Sequence, residues 1–153
     1  MSSNFIQIIN RINNLRIILR KNNLDGYIQP RADDYLGEYV PKCSSRLEWI
    51  TGFSGSAGEC LILMNKCILF VDSRYTLQAK NETKGTNIEV FLSSKTSIQS
   101  WIKDNLKSKK KIAVDPWIYS FSKLNNYINF GKQINIDFIR TKNNPIDYIW
   151  KYN

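Results

Sequence analysis

Residues 59–71 read ECLILMNKCILFV. Two apolar runs, Glu59–Met64 and Cys67–Val71, are separated only by Asn65 and Lys66. A two-residue connection between apolar runs is typical of a β-hairpin, in which the neighbouring strands pair antiparallel. We therefore predict an antiparallel pair of strands in the middle of the sequence.

Three elements precede this hairpin. In the first of them, apolar residues recur every three or four positions, and this spacing predicts an amphipathic helix capped by Ser3 or Asn4. The predicted bounds are Asn4–Asn22 for that helix, Tyr27–Gln29 for a short strand stopped by Pro30, and Arg46–Thr51 for a second helix that ends at Gly52.

Strands and helices alternate after the hairpin. The predicted helices are Arg74–Asn81, Ser97–Leu106, Ser120–Phe130 and Pro145–Trp150, and the predicted strands are Ile88–Leu92, Lys111–Val114 and Ile134–Ile139. This alternation favours an α/β fold with a mixed sheet. Because no repeat or low-complexity linker divides the sequence, we expect residues 1–153 to form one domain.

The overall composition limits the class of protein. Of the 153 residues, 42% are hydrophobic and 23% are charged, which is near the average of folded proteins and excludes global disorder. No apolar run approaches the roughly 20 residues that a membrane-spanning helix needs. The first residues lack the basic start and apolar stretch of a signal peptide. We expect a soluble, cytoplasmic protein.

The sequence contains no histidine. This excludes Ser-His-Asp and Cys-His nucleophile systems, which need an imidazole, and most types of zinc and iron site. Three cysteines, Cys43, Cys60 and Cys67, are scattered without a CxxC motif, which fits a reducing compartment better than a disulfide framework. We predict that Cys60 and Cys67 are small buried hydrophobic residues.

The net charge is +9, from 22 basic and 13 acidic residues. The one dense basic run lies at Lys107–Lys111, and no aromatic residues interleave with it to stack on bases. A solvated loop before a strand is therefore favoured over a phosphate-binding patch. We expect no nucleic-acid partner.

Residues 52–58 form a glycine-rich segment, GFSGSAG. It lacks the Gly-Lys-Ser/Thr sequence of a P-loop and the spacing of a nucleophile elbow. The favoured interpretation is a tight bend with close backbone packing. Several large aromatic residues are predicted to anchor the core or an interface: Trp49, Trp117, Trp150 and Tyr152.

Acidic residues cluster at two places. Asp33, Asp34 and Glu38 are of the type that binds a hard metal ion, but we favour solvated or capping roles for them. Asp72 is predicted to cap the helix that starts at Arg74. Both side chains are charged, so we expect an ion pair either between them or with a neighbouring residue.

Five segments, in order along the chain, resemble the N-terminal domain of Xaa-Pro aminopeptidases (aminopeptidase P). They are Ile28–Pro41 (IQPRADDYLGEYVP), Arg46–Gly58 (RLEWITGFSGSAG), Phe70–Ala79 (FVDSRYTLQA), Val114–Pro116 (VDP) and Asn144–Trp150 (NPIDYIW). Because these motifs follow one another in the family's order along nearly the whole chain, together they identify the family more specifically than any single motif does. The chain is most similar to the long, three-domain form of that family.

The resemblance implies a creatinase/prolidase-type N-terminal domain with a ribonuclease-H-like α/β fold, in which helices flank a mixed β-sheet. In that family a separate C-terminal domain of the pita-bread fold cuts the bond before proline. That catalytic domain holds two divalent metal ions, usually Mn²⁺, on two Asp, one His and two Glu. We expect it to be absent here, and we assign no catalytic and no metal-binding residue to this histidine-free chain.

The implied role is to position the catalytic domain, to contribute to dimer contacts and to wall the substrate entrance. The residues expected at that entrance are Phe53, Ser54, Gly55, Ser56, Arg74 and Tyr75. The expected partners are the aminopeptidase catalytic domain, in cis or in trans, and a second copy of the chain in a homodimer. The alternative is a stand-alone protein-binding module, for which the positive charge favours an acidic partner, or a relic fragment.

Overall fold

The computed structural model describes residues 2–150 of the chain. Within that range, helices and strands alternate as follows: α1 Ser2–Lys21, β1 Gly26–Pro30, α2 Arg46–Thr51, β2 Gly58–Leu63, β3 Cys67–Val71, α3 Thr76–Glu82, β4 Ile88–Leu92, α4 Ile98–Asn105, β5 Lys110–Val114, α5 Phe121–Ile134, β6 Ile136–Arg140 and α6 Pro145–Trp150. Short 3₁₀ turns lie at Lys42–Ser44, Ser73–Tyr75 and Pro116–Ile118.

The six strands form one mixed sheet in the order β4-β3-β2-β1-β5-β6. The predicted hairpin is confirmed: β2 and β3 pair antiparallel, with Cys60 opposite Leu69. Strand β2 also runs antiparallel to β1, whereas the pairs β3–β4, β1–β5 and β5–β6 are parallel. Five strands therefore point the same way, and their carboxyl ends lie at one edge of the sheet, which we call the carboxyl edge.

Helices cover both faces of the sheet, as expected. Successive strand residues point to opposite faces, so Tyr27 and Ile28 of β1 belong to different cores. The first core packs the sheet against α1, α2, α3 and α6, and the second packs it against α4 and α5. Within residues 2–150, no helix combines the length and the apolar character of a membrane span.

Helix α5 is longer than its sequence predicts. The prediction ended it at Phe130 and began a strand at Ile134, but the helix continues to Ile134 and the strand starts at Ile136. Asn135 adopts a left-handed conformation with φ 58° and ends the helix. At Gly131 the helix packs closely on the following strand. A Cβ there would lie 2.3 Å from the carbonyl oxygen of Ile136, so this approach needs glycine.

Serine caps two of the helices, each one residue before the first helical position. The hydroxyl of Ser97 accepts from the backbone N–H of Ser100 at 3.1 Å, and that of Ser120 accepts from Lys123 at 3.2 Å. The predicted cap at Ser3 or Asn4 is wrong, because α1 already begins at Ser2.

The predicted aromatic anchors behave differently from one another. Trp49 and Trp150 stack with ring centroids 5.4 Å apart, and both pack against the first core. Trp117 is 69% exposed and anchors nothing in the core. Tyr152 lies outside the described residues.

The basic run Lys107–Lys111 spans an exposed loop after α4 and the first two residues of β5.

Candidate functional site at the carboxyl edge

The strand order places a switch point at β1. The chain leaves β1 for β2, β3 and β4 on one side, and then returns to β5 and β6 on the other. In open α/β sheets, ligands bind outside the carboxyl ends of the strands at such a point. The segments that meet there are the residues following β1, β3 and β5, together with the loop that enters β2.

An ion pair follows β3. Asp72 Oδ1 accepts from the backbone N–H of Arg74 at 2.9 Å, and Arg74 Nη2 lies 2.8 Å from Asp72 Oδ2. The hydrogen bond from Arg74 lowers the pKa of Asp72 below its ordinary value. The guanidinium also lies over the ring of Tyr75, 5.2 Å from its centroid. The cap at Asp72 is confirmed, but the element it caps is the 3₁₀ turn Ser73–Tyr75, and α3 begins only at Thr76. Of the two predicted ion pairings, the structure shows the one between Asp72 and Arg74.

The glycine-rich segment folds tightly over Phe53. Gly52 ends α2 in the left-handed region with φ +79°, which favours glycine. A Cβ on Gly55 would lie 2.1 Å from the Phe53 ring, so only glycine allows this approach. Phe53 is buried, and its ring meets that of Tyr75 edge-on with centroids 5.9 Å apart. The bend predicted from the glycines is confirmed.

Two serines of this segment bind α3 and the turn before it. The hydroxyl of Ser56 shares a hydrogen bond with that of Tyr75. Ser54 donates from its backbone N–H and its hydroxyl to the Glu82 carboxylate, at 2.9 and 2.7 Å. Gln78 Nε2 donates to the Ser54 hydroxyl at 3.0 Å. Sequence reasoning missed Gln78 and Glu82, because nothing local connects them to a loop more than twenty residues earlier.

The structure brings the predicted entrance residues together. Phe53, Ser56 and Arg74 all contact Tyr75, and Gly55 packs on Phe53, whereas Ser54 faces α3. Phe53 is buried and packs against the ring of Tyr75, whereas Ser54, Ser56 and Arg74 are exposed. Their role at a substrate entrance stays a prediction.

A buried polar network joins the carboxyl ends of β1 and β5 to the residue before α6. Asn144 Nδ2 donates to Gln29 Oε1 at 3.1 Å and to Asp115 Oδ2 at 2.9 Å. Tyr27 donates its hydroxyl to Gln29 Oε1 at 2.8 Å. Burial raises the pKa of Asp115 above its ordinary value, although the N–H of Trp117 and the amide of Asn144 oppose the shift. VDP and NPIDYIW were recognised as motifs in the sequence. The hydrogen bond that joins them, between Asp115 and Asn144, was not predicted.

One residue of the acidic group after β1, Asp33, acts as a cap, whereas Asp34 and Glu38 are exposed. Asp33 is buried, and its Oδ1 accepts from the backbone N–H groups of Tyr35 and Gly37 at 3.1 and 3.2 Å. The capping role favoured for this residue is therefore confirmed. Across residues 2–150, no three His, Cys, Asp or Glu side chains are grouped so that they could hold a metal ion.

A cavity of about 480 Å³ opens at the same edge. Its apolar lining includes Ala32, Phe70 and Ile118. Its polar lining includes Arg31, Ser56, Glu59, Asp72, Tyr119 and Lys123. The cavity is thus bordered by Asp72, by the end of the glycine-rich segment and by the first turn of α5.

Curated relatives of the chain carry aminopeptidase names. A probable Xaa-Pro aminopeptidase P of Botryotinia fuckeliana is 33% identical over 150 residues, which is 95% of this chain but 23% of that protein. Xaa-Pro aminopeptidase 2 of Rattus norvegicus is 32% identical over 92% of this chain and 21% of its own length. The chain therefore spans less than a quarter of these relatives.

Solved structures share the fold. The X-prolyl aminopeptidase of Caenorhabditis elegans, described as a cytosolic enzyme with a di-nuclear active site, matches with a TM-score of 0.89 at 19% identity, over 94% of this chain and 25% of that one. The N-terminal domain of the cytoplasmic peptidase PepQ of Mycobacterium tuberculosis H37Rv matches with a TM-score of 0.67 at 15% identity, over 92% and 98% of the two chains.

A family model agrees with both kinds of similarity. Residues 11–139 match the creatinase/prolidase N-terminal domain, which covers most of the chain and all six strands except the last residue of β6. Its bounds enclose the hairpin, the glycine-rich segment and the Asp72–Arg74 turn. The chain belongs to the creatinase/prolidase N-terminal domain family.

Proposed function

We propose that residues 1–153 form the non-catalytic N-terminal domain of a metal-dependent Xaa-Pro aminopeptidase, which removes the N-terminal residue that precedes proline. The observation that carries the proposal is the extent of the matches to two proteins with that name. They include 92–95% of this chain but less than a quarter of the length of either protein. In such an enzyme the chain positions the catalytic domain, contributes to dimer contacts and walls the substrate entrance.

The side chains present support a separation between this domain and a catalytic domain that holds the metal ions. The C. elegans enzyme has a di-nuclear active site, and the present sequence contains no histidine. We assign the two divalent metal ions, Mn²⁺ by expectation, to a separate catalytic domain. Those ions would activate the water that attacks the peptide bond. The residues of the present chain orient and enclose the peptide, and the expected location is the cytoplasm, as for the C. elegans enzyme.

The carboxyl edge supports the contact role. Three aromatic side chains at this edge are strongly exposed: Tyr35 at 91%, Tyr39 at 85% and Trp117 at 69%. Exposed aromatic groups are enriched where protein surfaces meet. The Ser56–Tyr75–Arg74 cluster lies at the same edge, so one surface offers both apolar contacts and polar groups for a peptide.

Sequencing the source gene beyond codon 153 tests the proposal. An open frame that encodes the Asp, Asp, His, Glu and Glu metal set is expected, and it would make this chain one domain of an aminopeptidase. A stop codon with no catalytic domain encoded nearby would contradict the proposal and favour the stand-alone binding module. A pull-down in which an acidic protein is retained and then released by moderate salt would support that alternative.

A further inference from the structure

Two of the three cysteines lie side by side in the sheet. Cys60 of β2 and Cys67 of β3 are both buried in the first core, and their sulfur atoms are 3.4 Å apart. In the hairpin, Cys60 is opposite Leu69 and Cys67 is opposite Ile62, so the two cysteines are diagonal neighbours on one face of the sheet. The two thiols are therefore close enough to react with each other, and the proposed function uses neither of them.

A cavity gives one of these thiols access to small molecules. It has a volume of about 220 Å³ and lies between α1, the turn of the hairpin and the loop before β4. Cys67 lines this cavity and is 3% exposed, whereas Cys60 is 0% exposed. Since a water molecule occupies about 30 Å³, a molecule with two oxygen atoms, such as hydrogen peroxide, fits. Cys67 is thus the thiol that a small oxidant meets first.

The surroundings of Cys67 favour its oxidation. It is the first residue of β3, next to the turn of the hairpin, and strand ends open locally at a lower free-energy cost than strand centres. Arg16 lines the same cavity, and its Nε donates to the carbonyl of Leu63 at 2.8 Å. Burial raises the pKa of Cys60, and the positive charge of Arg16 opposes that increase. Because the thiolate is the reactive form of cysteine, a fixed cation beside the pair promotes its chemistry.

We propose that Cys60 and Cys67 are an oxidisable pair, which a peroxide converts into a disulfide between β2 and β3. The Cys67 thiolate attacks one peroxide oxygen, the O–O bond breaks, and the hydroxide released takes up the thiol proton as water. The sulfur of Cys60 then attacks the resulting sulfenic acid of Cys67, the S–O bond breaks, and water leaves with the proton of Cys60. The two thiols thereby lose two electrons and two protons, and the peroxide becomes two molecules of water.

The diagonal arrangement predicts a disulfide that is easily reduced. Diagonal Cα atoms in an antiparallel pair are about 7–8 Å apart, whereas the Cα atoms of a disulfide prefer about 5.5–6 Å. The hairpin must distort to close the bond, and strained disulfides are the labile ones. Disulfides in reducing compartments are typically transient and serve redox sensing. The pair is therefore suited to reversible oxidation rather than to permanent cross-linking.

Mass spectrometry of the folded chain tests the proposal. Cys43→Ser serves as the background, because the exposed thiol of Cys43 would otherwise react first. Hydrogen peroxide at about 1 mM should lower the mass of the dilute chain by about 2 Da and leave no thiol for alkylation after unfolding. Reduced glutathione should then restore both thiols. Two thiols that survive peroxide, or a gain of about 32 Da from sulfinic acid, would overturn the pairing, and a bond that glutathione leaves closed would contradict its lability.

A second variant and a change of solvent separate the pair from an accident of unfolding. With Cys60→Ala in the same background, peroxide should leave a sulfenic acid on Cys67, which dimedone traps, and the loss of about 2 Da should disappear. No dimedone adduct would contradict Cys67 as the attacking thiol. Disulfide formation that occurs only in urea would show that the native hairpin does not join the thiols, and it would overturn the proposal. These measurements use the chain alone and do not depend on a catalytic partner.

Discussion

Arg46 and Asp147 form a bidentate ion pair between α2 and α6. Nε lies 2.7 Å from Oδ1, and Nη2 lies 3.0 Å from Oδ2. The Arg46 side chain is 10% exposed, whereas that of Asp147 is 34% exposed. The pair joins two motifs that lie 101 residues apart in the sequence, and it holds the last described helix against the first core.

The unequal exposure of the two partners predicts unequal costs of removing them. Asp147→Ala leaves a buried guanidinium unpaired and should lower the free energy of unfolding by about 2–3 kcal/mol. Arg46→Met should cost about 1 kcal/mol, because the remaining carboxylate can be hydrated. Urea unfolding of the variants measures both values.

The control for this pair is Lys66→Met. Lys66 and Glu89 form an ion pair at 3.1 Å with both side chains nearly half exposed, so its removal should cost less than about 0.5 kcal/mol. A larger loss for Arg46→Met than for Asp147→Ala would contradict the burial argument.

Gly131 is predicted to be intolerant of any side chain. Gly131→Ala would place a Cβ 2.3 Å from the Ile136 carbonyl oxygen and 2.6 Å from the Phe138 ring, so α5 must move away from β6. We expect a loss of about 2–3 kcal/mol in the free energy of unfolding. Gly37→Ala is the matched control, because its nearest contact would be 3.7 Å away, and it should change stability by less than about 1 kcal/mol. Equal effects of the two substitutions would contradict the close packing of α5 on β6.

The buried carboxyl of Asp115 predicts a pH dependence. Its pKa in the folded chain is raised by burial above the ordinary value of 3.8, so the folded state holds this proton longer than the unfolded state does. Its contribution to stability is therefore present in full below pH 3.8 and decreases as the pH rises toward the folded pKa. Above that pKa the loss is complete and constant.

Comparison with Asp115→Asn isolates this effect from the other carboxylates. The free energy of unfolding of the wild-type chain minus that of the variant should fall with rising pH above about 4 and then level off. Denaturant unfolding at a series of pH values measures this difference. A difference that grows with pH would show that the carboxylate, rather than the carboxylic acid, is favoured in the folded chain.

The three cysteines should differ strongly in reactivity. Cys43 is exposed, whereas Cys60 and Cys67 are buried with their sulfur atoms 3.4 Å apart. Burial raises the pKa of Cys60 well above its ordinary value, which disfavours the reactive thiolate. A chromogenic disulfide reagent should label one thiol rapidly in the native chain and the other two only after unfolding. Three equal labelling rates would contradict the buried positions.

Arg74 offers the most direct test of the entrance role. In an aminopeptidase that contains this domain, Arg74→Ala should lower kcat/KM for an Xaa-Pro peptide about tenfold, or ~1.4 kcal/mol, without unfolding the chain. Arg20→Ala is the control, because Arg20 lies in the last turn of α1, near the opposite edge of the sheet. Unchanged kinetics and unchanged assembly for Arg74→Ala would remove this residue from the proposed entrance.

Local signals were sufficient for most elements. The bounds of α2, β3, β4 and α6 agree with the predicted ones, because each is set by nearby residues such as Gly52 after α2 or Pro145 at the start of α6. The end of α5 was predicted wrongly, because Ile134 suits a strand as well as a helix. Packing of Gly131 against β6, which is not a local property, allows the helix to continue.

The candidate site was predictable only in part. The glycine-rich segment and the turn after β3 were recognisable as motifs, and the structure confirms their bend, cap and ion pair. The contacts that join them, such as Ser56 to Tyr75, depend on β2 and β3 being neighbours.

The sequence by itself determined the fold class, the family and the types of chemistry that the chain can supply. Alternating periodicity predicts α/β structure, ordered motifs identify the family, and a chain without histidine offers no imidazole. The tertiary structure decided which strand is reversed, that Gln29, Asp115 and Asn144 share one buried network, and that a cavity lies between β1 and α5. The physical reason is that periodicity and caps act over a few residues, whereas strand order, burial and pKa depend on groups that only folding brings together.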